Sequence, residues 1–368
     1  MSISPDTLAS TLSRHVGLSN DRRQTLAVLI LGLISARTVN LSHLAATFCG
    51  PAKLASNYRR LQRFFQYVRL DGDWLAKALV ALLRLRPPYR LCLDRTEWKV
   101  GKKPLNLLVL CIATRRARIP VLWHVLDRAG CSTMAQRQAL IERFLALFGK
   151  GSIKLLLADR EFFGNQWFEF LVERDVPFAI RVSAKLIVRL NDGYEGPLAR
   201  LACNRRSRQR LINSRGCFAD MPGRFDDALA FGAVRRADGT VLIIATNRDP
   251  RKALSIYRKR WQIECLFADA KTRGFNLEDT RLTKPAKLSL LLAVVALAMA
   301  WAHACATAVV NGPQDIARAK HGYRRKSWFR TGFDNLRHWI ATQPDNAVSL
   351  WIKIWARPPK PTTTTRVV

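Results

Sequence analysis

Six residues at 153–158, Ile-Lys-Leu-Leu-Leu-Ala, run straight into Asp159. A run this short and this apolar has no face to offer water, so as a strand it must be covered on both sides. That demand points to an α/β architecture, a mixed sheet with flanking helices. The chain around it supplies the parts. Leu91–Leu93 is a short apolar strand that delivers Asp94, and 105–114 and 119–126 are two more, separated by the turn residues 101–104 and 115–118. A helix is expected over 132–148, then the 153–158 strand, a helix over 161–173 and a strand over 177–182.

Either side of this core the pattern changes. Residues 1–86 read as all-helical: an apolar run at 26–36, a short helix at 41–48, a Cys-Gly-Pro break, and a helix at 52–68 carrying Arg59, Arg60 and Arg63. That outline suits an N-terminal helix-turn-helix DNA-binding domain, although any helical bundle of a basic protein also puts arginines on its outer side. Pro87-Pro88 ends the segment, since neither residue continues a helix. The core's first part then spans 87–182. Residues 183–248 read as a mostly β insertion, with a strand at 185–190, a basic loop at 203–216 and an Asp238-Gly239 hairpin between 231–236 and 240–246. The core returns at 249–312. Residues 313–368 are expected to hold a helix near 334–341 and a Pro/Thr-rich, disordered tail from 357.

Charge narrows the partner. The 368 residues carry 61 Lys plus Arg against 27 Asp plus Glu, a net +34, with cations spread along the whole chain. Such a surplus favours a polyanion, most simply double-stranded DNA, over an anionic membrane, which calls for a local amphipathic anchor. Eight cysteines without a Cys-x-x-Cys pair argue against a zinc ribbon or disulfide framework and fit the cytoplasm. Residues 288–310 are long and apolar enough to cross a bilayer, but eight of them are Ala, and the expectation is a buried core helix and no membrane.

The chemistry concentrates in 249–274. Asp249 can cap a helix, Pro250 suits its first turn and Gly274 can close it. In one continuous helix Tyr257, Arg260, Glu264 and Lys271 would share an arc of roughly 60°, with Ile256, Ile263, Phe267 and Ala270 as a separate core-facing stripe. A lone carboxylate among cations suits metal and phosphate handling, whereas ordinary i,i+4 ion pairs on a solvated face are the plain alternative. Asp94 and Asp159 likewise have plain readings, as a turn former and a helix cap. Glu97, Asp127, Glu161 and Asp269 are set aside as neighbouring acids, Asp269 because it lies roughly 140° from Glu264 around a helix.

The spacing Tyr-x2-Arg-x3-Glu-x6-Lys, with Asp94-x-Thr96, Asp159-Arg160-x-Phe162 and the His321-Gly322 and Lys326-Ser327 pairs, resembles the DDE transposases of bacterial insertion sequences, the group called insertion sequence family four. The resemblance implies an RNase H-like core in which the first and fourth strands are neighbours. Asp94, Asp159 and Glu264 would form the catalytic, metal-binding triad and hold two Mg²⁺ or Mn²⁺ ions. Tyr257, Arg260 and Lys271 would contact DNA phosphates, and Trp261 would hold a flipped base, core packing being its plain alternative. No Trp lies between Trp167 and Trp261, so a stacking Trp from the insertion is missing; Phe218, Phe225 and Phe231 are the possible substitutes. The implied activity is cut-and-paste transposition: binding terminal inverted repeats, cleavage, passage through a hairpin, and joining of 3′ ends to target DNA by a homodimer in a synaptic complex. A related nuclease and a DNA-binding regulator with purely structural acids are the rivals.

Overall fold

In the computed structural model, described for residues 3–126, 128–200, 210–220, 228–236, 238–312, 316–320, 322 and 324–356, a ten-stranded mixed sheet forms the spine. The strands are β1 (Tyr89–Val100), β2 (Lys103–Ala113), β3 (Arg118–Leu126), β4 (Ile153–Ala158), β5 (Phe178–Arg181), β6 (Ile187–Leu190), β7 (Glu195–Pro197), β8 (Arg210–Phe218), β9 (Leu229–Arg235) and β10 (Val241–Thr246). Their spatial order is β3-β2-β1-β4-β5-β10-β9-β8-β6-β7. The first three form the expected antiparallel meander. β4 then lies parallel to both β1 and β5, buried at five of its six positions, as its apolar run requires.

Two expectations need correction here. β1 does not stop at Asp94; it continues to Val100 because β2 pairs with it along its full length. Asp94 is nevertheless at a strand boundary, since Leu93 opposite Ala158 is the last pair β1 makes with β4. The β stretch of 183–248, in turn, adds its strands to the main sheet: β10 pairs antiparallel with β5, and β9, β8, β6 and β7 follow. Part of the expected basic loop, 203–209, lies outside the described residues, as do Asp127, Phe225, His321 and the tail from 357.

The helices are α1 (Pro5–Leu12), α2 (Asn20–Ala36), α3 (Leu41–Ala46), α4 (Leu54–Tyr67), α5 (Gly72–Leu82), α6 (Met134–Phe148), α7 (Asn165–Glu173), α8 (Pro250–Tyr257), α9 (Trp261–Ala270), α10 (Pro285–Val309), α11 (Trp328–Thr342) and α12 (Pro344–Trp355). α10 is long and apolar enough to span a bilayer, yet 94% of its most apolar window is covered by protein. It packs against α2, α4, α5, α11, α12 and β3, so the helices of residues 1–86 share one apolar core with the sheet. A polar tie adds to this: Thr38 donates to Asp279 at 2.9 Å, and Asn40, the cap of α3, donates to the same carboxylate at 3.4 Å. α12 has no counterpart in the sequence reading. Its Trp355 stacks on His15 and Trp74, with ring centroids at 5.3 and 6.3 Å.

Candidate active site

The expected single helix of 249–274 is two. Asp249 caps α8 by accepting the Arg251 N–H at 2.8 Å, with Pro250 in the first turn. Arg258–Arg260 then tighten into a 3₁₀ turn before α9 begins at Trp261. A 3₁₀ turn advances fewer residues per turn than an α-helix, so phase read across it from a continuous 3.6 period is wrong. α9 ends at Ala270 with Lys271 as its cap, four residues before the expected close at Gly274; Gly274 lies in the turn that follows, where a Cβ would collide with the Asp269 carbonyl oxygen.

This break sets the site. Tyr257 is buried, not presented to solvent, and its hydroxyl donates to the Ala158 carbonyl at 3.1 Å; burial first, then the neighbouring Asp159 carboxylate, raises its pKa. Arg260 turns inward. Its Nη1 lies 3.3 Å from Asp94 Oδ2, its Nη2 lies 3.7 Å from Asp159 Oδ2, and Nη2 also donates to Glu264 one turn on. The three acids, drawn from β1, the end of β4 and α9, therefore meet around one guanidinium. Asp94 and Asp159 each also accept the backbone N–H of the next residue, at 2.8 and 2.7 Å.

The cluster is short of positive charge. Burial, reinforced by the negative charges of Glu161 and Asp159, pushes the Asp94 carboxyl up to about 6 despite Arg260. The donor set is all carboxylate oxygen, which suits Mg²⁺ or Mn²⁺. Among the described residues no three such ligands stand close enough together to hold an ion as placed, because Arg260 fills the point of convergence. The donors thus fit a divalent ion in chemistry, and in this structure Arg260 is the cation that all three share.

Other expected residues lie apart. Lys271 pairs with Glu278 at 2.7 Å and sits over the Trp98 ring at 5.5 Å. Trp261, at the start of α9, is 59% exposed, so it is not core. Arg59 and Arg63 are exposed on α4, whereas Arg60 donates to Thr25 at 2.8 Å and covers Phe48. Phe218 and Phe231 are buried against each other, 5.5 Å between centroids, which removes both as free stacking surfaces in this structure.

Sequence reasoning missed two arginines. Arg181, at the end of β5, stands 3.8 Å from Asp159; the rule that ligands gather at the ends of parallel strands was the available signal. Arg95, next to Asp94, grips both oxygens of Glu161 at 3.1 and 2.9 Å, and also reaches Asn106 and the Gly130 carbonyl. Glu161 is thus a brace between β1 and the turn after β4. Among the other acids set aside, Asp269 faces away from Glu264 into a closed pair with Arg118.

A family model described as Transposase DDE domain matches residues 86–301, more than half of the chain. The chain belongs to the DDE transposase family. As a transposase it is an enzyme of DNA transposition, and the matched span contains every strand and all three acids of the cluster. Among solved structures, the transposase is similar to a chain of the "Cryo-EM structure of piggyBac transposase synaptic complex with hairpin DNA", at 10% identity over 97% of this chain and 79% of that one, with a TM-score of 0.48. No curated relative matches.

Proposed function

We propose that this transposase works by cut-and-paste in the manner of insertion sequence family four, in the bacterial cytoplasm, on an RNase H-like core made of β3-β2-β1-β4-β5. The observation that carries the reading is the meeting of Asp94, Asp159 and Glu264, from three distant parts of the chain, around one cation. In this reading the three carboxylates hold two Mg²⁺ or Mn²⁺ ions. Such ions supply an activated water or 3′-hydroxyl and stabilise the leaving oxygen of an in-line displacement at phosphorus.

The chain's own residues do the rest. Asp94 and Asp159 are oriented by the backbone N–H groups of Arg95 and Arg160. Arg260 neutralises the acids until a phosphate enters and then transfers its donors to that phosphate, a role its fork geometry suits. Buried Tyr257 would fix the Ala158 carbonyl beside Asp159, Lys271 would reach a DNA phosphate by leaving Glu278, and exposed Trp261 would offer a stacking surface for a base flipped out at a hairpin end. Arg59, Arg60 and Arg63 on α4 would meet the terminal inverted repeats, and two copies of the chain would synapse two ends before the 3′ ends join target DNA.

Glu264→Gln tests the reading. It keeps the size of the side chain and one acceptor oxygen while removing its charge, so binding to the element's ends should persist while strand cleavage in Mg²⁺ falls by at least about 10³-fold, the scale on which an essential catalytic group acts. Cleavage near the wild-type rate would remove the acid cluster from the mechanism.

A further inference from the structure

The tight turn that delivers Arg260 also delivers Arg258 and Lys259, and both are exposed. The turn lies across β1: the Cys92 thiol is 3.9 Å from the Lys259 carbonyl, two residues before Asp94 on the same face of the strand. Two residues further back comes Arg90, whose Nε is buried and has no hydrogen-bond partner. Exposed Arg115 stands in the β2–β3 turn, just beyond the end of β2, and exposed Lys154 stands near the start of β4. Among the described residues none of these five cations meets a carboxylate within ion-pair distance. Their proximity is felt: Arg90 first, then burial, then Arg258, Lys154 and Arg115 lower the Lys259 pKa, so each positive charge makes the next less welcome. Such a group gains from an anion that spreads over all of it.

We infer that Arg90, Arg115, Lys154, Arg258 and Lys259 form a track for the phosphate backbone of duplex DNA, leading away from the acid cluster along β1. The track rests on the transposase reading above and adds to it where the flanking duplex lies. Arg90 is four strand residues from Asp94, about 13 Å at 3.3 Å per residue. Each DNA strand advances about 3.4 Å per base pair along the helix axis, so a duplex lying along the track spans it in about four base pairs beyond the acids. Its direction separates it from α4, whose Arg59 and Arg63 lie on another element.

The test uses the full-length chain and a fluorescently labelled blunt DNA duplex, with affinity measured from about 50 to 200 mM NaCl. Replacing Arg115, Arg258 and Lys259 together by Gln changes only exposed side chains. Each lost phosphate contact lowers the slope of log affinity against log salt by about 0.9, so the triple variant should be shallower by about 2–3. A matched variant with Lys99, Lys102 and Lys103 replaced by Gln, at the far end of β1, should keep the wild-type slope. A track variant with the wild-type slope, or one that loses no more than the matched variant, overturns the track while leaving the transposase reading standing. A wild-type chain that shows no salt-dependent duplex binding fails both.

Discussion

Helix α9 carries two buried-charge sites five residues apart, and they are built to opposite rules. At Asp269 the arrangement is closed: the carboxylate is 1% exposed, Arg118 is 9% exposed, they meet at 2.5 and 2.7 Å, and the count is one acid to one cation. The Arg118 carbonyl is in turn held by His303 at 3.0 Å, and burial drives that imidazole's pKa down to about 3, keeping it neutral. At Glu264 three acids share Arg260, and Glu264 keeps 32% of its side-chain surface. A balanced, dry pair holds a helix against a sheet. An acid-rich, accessible cluster costs stability and is retained for what it binds.

If that contrast is right, the largest stability effect belongs to the closed site. Arg118→Ala leaves Asp269 buried without a cation and should cost about 3–5 kcal/mol of unfolding free energy in a urea titration, against less than about 1 kcal/mol for Glu264→Gln. Equal losses would mean the two sites do not differ in kind.

Asp269 also gives a pH signature. Burial, outweighing the pull of Arg118, raises its carboxyl to about 6, above the usual carboxylate value near 3.8. A raised carboxylate costs stability when ionised, so its penalty is absent below about pH 4, grows between about 4 and 6, and is complete above that. Asp269→Asn should therefore compare better with wild type at pH 7 than at pH 4, by on the order of 2 kcal/mol, read from paired denaturation curves. A flat difference across that range would place Asp269 in a wetter setting.

The smallest effect sharpens the open site. Glu161→Gln removes the charge with which Arg95 braces β1 against the turn after β4, and should weaken Mg²⁺-dependent cleavage by about tenfold at limiting metal while leaving the unfolding midpoint almost unchanged. Recovery at saturating Mg²⁺ would mark Glu161 as a positioning residue, and no change at any metal level would leave it a surface ion pair.

Local patterns carried the sequence reading far in places. The apolar run of β4, the meander before it and the Asp249-Pro250 start of α8 all depend on neighbours within a turn or a strand. Asp94 and Asp159 are legible because an apolar run stops at each of them, although only β4 ends there and β1 runs on to Val100. What escaped notice depends on distant partners. The inward turn of Arg260 arises where α8 breaks, and a period extrapolated through Arg258–Arg260 put Tyr257 and Lys271 beside it on one face. The pairing of β10 with β5 joins residues about 65 apart, and α12 is held by Trp355 on aromatic rings of residues 15 and 74. Neither leaves a periodic trace.

The join between β5 and β10 has an architectural consequence. β5 ends at Arg181 and β10, which begins at Val241, pairs beside it, so β6 to β9, which extend the same sheet, form an excursion whose two ends are fixed side by side. Residues can be added to or deleted from that excursion without altering the spacing between Asp159 upstream and Arg260 downstream. The excursion is therefore where this chain can change in length while Asp94, Asp159 and Glu264 stay gathered around Arg260.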